Sequence, residues 1–170
     1  MTIHGILNQD MRIKSIHSVL TVVSSAVIAL ISSVSVIQAE FRFNKNYHIC
    51  IVGNALPVRM QHDGWLETLL QSQNPEKNLV FRNLAFPGEM VHKRPRSRGF
   101  MIPEEYLKHC KADVIFVFFG YNESREGGKG LDNFRKNLSE LVDSYRELKP
   151  NGKSEPRIVL FSPITHEDLT

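Results

Sequence analysis

The chain has 170 residues, 42% of them hydrophobic and 23% charged, with a formal net charge of +3. That length holds one domain with a real core, and the composition excludes a disordered or fibrous chain. The charge is too small to point to nucleic acid, and no internal repeat or low-complexity tract suggests a solenoid or linker.

The N-terminus is different in kind. Arg12 and Lys14 precede an uncharged run from Val19 to Ile37. A short basic region before an apolar stretch is the pattern of an export signal, here with Ala39 at the cleavage point. The run is also long enough to serve as an uncleaved anchor, with its basic side cytoplasmic. Residues 1–39 are therefore expected to be a signal peptide or N-terminal anchor and residues 40–170 the working domain. The expected location is periplasmic or extracellular, with membrane contact only through an uncleaved leader.

Tyr47–Val52 is a short apolar run closed by Gly53-Asn54 and reads as a buried strand. Gly64–Gln73 follows as a helix, with Asp63 as its cap and Trp65 expected to anchor it in the core. Leu79–Leu84 reads as a second strand, ended by Pro87-Gly88. The basic stretch from His92 to Arg98 is expected to be a solvated loop; the sharper alternative is a rim that attracts an anionic substrate. Pro103–His109 reads as a short helix with proline at its first position. Ala112–Phe119 is a continuous apolar run, as found in strands covered on both faces of a parallel sheet. Gly127–Gly130 reads as a flexible turn, since it lacks the Ser or Thr and the preceding strand of a phosphate loop. Leu131–Leu148 carries Leu131, Phe134, Leu138, Leu141, Tyr145 and Leu148 along one helical face, and Arg157–Phe161 is a fourth strand.

This alternation predicts an α/β fold with a layered, parallel sheet, with the ligand site beyond the carboxyl ends of its strands. Aligning Gly53 with Gly120 would offset Cys50 and Cys110 by about seven residues, roughly 23 Å along the strands. That exceeds disulfide reach and predicts two unpaired thiols. The histidines show no metal-ligating spacing, so neither a metal nor a cofactor is expected.

Three of the four strand ends carry a further pattern. Gly53-Asn54-Ala55-Leu56 stands directly after the first strand. Asn83-Leu84-Ala85-Phe86-Pro87-Gly88-Glu89 ends the second, and Gly120-Tyr121-Asn122-Glu123 ends the third. In order and placement these resemble the sequence blocks of the SGNH (GDSL-type) hydrolases, over about residues 47–169. The resemblance implies a three-layer α/β/α fold with flavodoxin-like strand order. It implies hydrolysis of an acyl or acetyl ester on carbohydrate or lipid, and makes such an ester the expected partner. Gly88 and Asn122 match the family's oxyanion-hole positions, while Asn54, Tyr121 and Glu123 fall among substrate-binding positions.

Ala55 stands at the nucleophile position. Alanine has no atom that can attack a carbonyl, so covalent catalysis of the family's kind cannot begin there. Asn54 likewise replaces a carboxylate with an amide. Ser124 and Ser162 are other hydroxyls near strand ends, and His166 lacks the aspartate three residues earlier that the family's base block requires. The fourth strand would form an uncovered apolar edge, which predicts a fragment of a longer chain. Two readings remain open: an SGNH-type ester hydrolase, and a non-catalytic exported module that keeps the pocket without the chemistry.

Overall fold

The computed structural model describes residues 41–96 and 99–165. The described residues from Arg42 onward belong to the second of two units of the chain, Arg42–Thr170. The expected leader and its cleavage point lie outside the described residues, as does His166.

The second unit is built on a four-stranded sheet of β1 (His48–Gly53), β2 (Val80–Asn83), β3 (Val114–Phe118) and β4 (Arg157–Leu160). Every pairing is parallel and the order is β2-β1-β3-β4. The two continuous apolar runs take the centre: β3 is buried along its whole length and β1 is buried from Ile49 onward. β2 and β4 are only half-covered and form the edges. Burial on both faces is the reason for the non-alternating apolar runs.

Helices flank both faces, an arrangement compatible with a three-layer α/β/α fold. The first helix, α1 (Ala55–Met60), and the second, α2 (Trp65–Gln73), contribute Leu56, Met60, Leu66 and Leu70. These pack with Ile49, Ile51, Val114, Phe116 and Phe118. On the opposite face, α3 (Pro103–His109) and α4 (Leu131–Leu148) place Leu107, Leu141 and Tyr145 against Cys50, Val52, Ile115 and Val117. Tyr145 is fully buried, and burial pushes its phenol up. Among the described residues no helix is long and apolar enough to cross a membrane.

Several expectations need correction. Trp65 is 77% exposed and anchors nothing in the core. Residues 65 and 69 share one helical stripe and residues 66 and 70 the next; only the second faces the sheet, and Leu69 is exposed like Trp65. Asp63 does not cap α2, whose N-cap is Gly64 in a left-handed conformation without a side-chain bond. The Gly127–Gly130 turn belongs to a 3₁₀ segment spanning Glu123–Gly130, kinked at Gly127.

The alignment of β1 with β3 also differs by two residues, Gly53 lying opposite Phe118 rather than Gly120. Cys50 therefore pairs with Ile115, and the chain before β3 does not run straight. Lys111, at φ +53°, turns it back so that the Cys110 carbonyl lies 2.7 Å from His48 Nδ1. Both cysteines are free, but they are neighbours rather than far apart.

Candidate functional site

The central strands leave the sheet in opposite directions: β1 leads to β2 on one side, and β3 leads to β4 on the other. Such a reversal opens a crevice beyond the carboxyl ends of the strands. Gly53 makes the turn out of β1 at φ +152°, and a Cβ there would lie 2.5 Å from the Phe118 carbonyl oxygen. Only glycine allows the two central strands to approach this closely.

The three strand-end segments are tied together by hydrogen bonds. Phe86 N–H donates to the Gly53 carbonyl at 3.0 Å, joining the loop after β2 to that after β1. Asn54 N–H donates to the Phe118 carbonyl at 3.4 Å, joining β1 to β3. Asn122 Nδ2 donates to the Glu89 carbonyl at 3.0 Å, which closes the circuit. Gly88 sits at φ +80° in the turn Phe86–Glu89, where Glu89 N–H returns to the Phe86 carbonyl. Proline followed by a glycine of positive φ is the type II pattern.

A cavity of about 230 Å³ opens beside this circuit, lined by Asn54, Ala55, Leu56, Arg59, Phe118 and Tyr121, with Ser162, Pro163 and Ile164 at the end of β4. Of the expected site residues, Asn54, Ala55 and Tyr121 line it. Gly88, Asn122 and Glu123 stand in the adjoining loops and are not part of that lining.

Ala55 is exposed and opens α1 immediately after Asn54. Asn54 is 4% exposed; its Oδ1 accepts from Leu56 N–H at 3.4 Å, and its Nδ2 is buried without a hydrogen-bond partner. A buried amide donor left unsatisfied costs free energy that an acceptor on a bound ligand would recover. Arg59 supplies the cation among the lining residues. No histidine, cysteine or carboxylate joins that lining, so among the described residues it holds no ordinary general base. Ser162 and Tyr121 contribute hydroxyls. The cavity is equipped to bind an apolar group with a hydrogen-bond acceptor.

Glu123 turns inward. Its carboxylate accepts from Val91 N–H at 2.7 Å and Gly120 N–H at 3.0 Å, and the residue is buried. Its carboxylate holds the loop after β3 against that after β2.

Three further residues, Glu89, Arg94 and Arg96, do the same work. Glu89 is fully buried between Arg96, 2.8 Å away, and Arg94, 3.6 Å away. The ion pairs are close but not aligned as hydrogen bonds, since both Glu89 oxygens lack an aligned donor. Arg94 lies over the Phe119 ring and Arg96 over that of Phe86. Burial holds the Glu89 carboxyl above its ordinary range, against the pull of both arginines. This corrects the expectation of a solvated basic loop at two positions only: the Arg94 and Arg96 side chains are 14% and 15% exposed, while His92 and Lys93 are exposed. Ser97 and Arg98 lie outside the described residues. The available signal was a lone acid after Gly88, followed five and seven residues later by arginine.

No family profile matches the chain, and no curated protein matches it. Among the described residues no cluster of three or more His, Cys, Asp or Glu gathers as a metal site.

Proposed function

We propose that residues 40–170 are an SGNH-type ester-hydrolase domain in which the ligand pocket is retained and the covalent step is vacated at Ala55. The ligand is an acyl or acetyl ester of carbohydrate or lipid, met after export. One observation carries the reading: three blocks with the family's order stand at the ends of β1, β2 and β3 and are joined there by hydrogen bonds. The strand order β2-β1-β3-β4, all parallel, supports it, being that of flavodoxin-like sheets. Asn122 donates one amide N–H to Glu89 and has a second, the group that would face an oxyanion. Gly88, in its tight turn, is the family's other donor.

Ala55, which has no atom that can attack a carbonyl, favours binding over turnover. The test gives the purified protein p-nitrophenyl acetate beside an Asn122→Ala control. Equal release of nitrophenolate by the two proteins supports a pocket without catalysis. Release above the control would mean a working esterase and would move attention to Ser162 or Ser124 as nucleophile.

A further inference from the structure

Cys50 and Cys110 belong to one core cluster, on the face of the sheet that α3 and α4 cover. Cys50 is fully buried in β1, and Cys110 is half-buried at the end of α3. His48 and Cys50 are two residues apart on one strand and so point to the same face. The His48 ring meets the Cys110 carbonyl at 2.7 Å, which sets Cys110 beside Cys50. Asp113 fixes this arrangement: its carboxylate accepts from His48 N–H and its own N–H donates to the His48 carbonyl, each at 2.9 Å.

We propose that Cys50 and Cys110 form a disulfide site, closed by thiol–disulfide exchange with a small-molecule or protein disulfide. Cys110, the more exposed thiol, enters first. Its thiolate attacks one sulfur of oxidised glutathione, forming a mixed disulfide and expelling one glutathione thiolate. The Cys50 thiolate then attacks the Cys110 sulfur, forming the Cys50–Cys110 bond and expelling the second. Two cysteine thiols are oxidised, one glutathione disulfide is reduced, and the two cysteine protons end on glutathione. Burial, with Cys110 alongside, pushes the Cys50 thiol up, so the second attack is the slow one and quickens with rising pH. The bond closes a loop of about 60 residues, which constrains the unfolded chain strongly. That loop contains β2, the Gly88 turn and the Glu89–Arg96 clamp.

The test incubates the purified full chain with oxidised glutathione at mildly alkaline pH, quenches with acid and maps the unreduced digest by mass spectrometry. The expected product has lost two hydrogens, yields one peptide pair joining Cys50 to Cys110, and melts about 10 °C above the reduced form. In Cys50→Ser the reaction is expected to stop at a glutathione adduct on Cys110. A wild-type product that remains a Cys110 adduct, with Cys50 still open to alkylation after unfolding, would overturn the proposal. So would a disulfide-linked dimer in place of the internal bond.

Discussion

Asn122 donates its side-chain amide to the main-chain oxygen of Glu89 at 3.0 Å, while the Glu89 carboxylate is enclosed below by Arg96. One residue thus carries both the tether between two strand-end loops and the charge that anchors one of them. Asn122→Ala removes the tether and leaves the Glu89 carbonyl without that donor. The expected loss is about 1 kcal/mol, that of a single partly buried hydrogen bond. Urea unfolding should show an earlier midpoint with an unchanged slope.

Arg96→Gln is a harsher change, because it withdraws the nearer cation from a buried carboxylate. At neutral pH it should cost about 3 kcal/mol. The deficit should shrink in acid. The Glu89 carboxyl is already raised above the ordinary value of 4.5. Stability linked to its proton is therefore full below that value and falls as pH rises through the folded one. Without Arg96 the folded value moves higher still, so more is lost at neutral pH and little below pH 4.5. Unfolding midpoints on the two sides of that window measure this; equal deficits would show that Glu89 is not the group responsible.

Gly53→Ala should be among the most damaging substitutions in the sheet. The added methyl would lie 2.5 Å from the Phe118 oxygen and 2.8 Å from Phe118 Cβ, at a φ that side chains rarely adopt. A loss of about 3 kcal/mol or more is expected, with β1 and β3 forced apart. Hydrogen exchange should then quicken first at β1 and β3.

Trp65→Gln should change stability by no more than about 0.5 kcal/mol, because the indole is largely in solvent. Leu66→Ala, on the stripe that faces the sheet, should cost about 2 kcal/mol. Comparing the two in thermal unfolding separates the stripes directly.

That pair also marks the limit of what the chain discloses. Apolar periodicity located α2 but could not choose between adjacent stripes, since both 65/69 and 66/70 are apolar. The central strands were readable because burial on both faces demands unbroken apolar runs, and α3 and α4 because proline and the periodic face set their limits. Register was not readable: no local signal distinguishes Gly53 opposite Phe118 from Gly53 opposite Gly120. That two-residue difference, with the turn at Lys111, is why the cysteines were misplaced. Three strand-end blocks were visible as motifs. The inward turn of Glu123, Arg94 and Arg96 was not, because a charged residue in a loop has no sequence mark that separates a solvated role from a buried pair. The short α1 was hidden because it begins inside the first block, at Ala55.

We propose that the cavity beside Ala55 binds an ester without cleaving it. The most direct measurement follows backbone amide resonances of the ¹⁵N-labelled protein during titration with p-nitrophenyl acetate, while nitrophenolate release is recorded in the same sample. The account predicts saturable shifts at Asn54, Ala55 and Tyr121, with release no faster than in Asn122→Ala. Release well above that control, or no shift at those three residues, would contradict it.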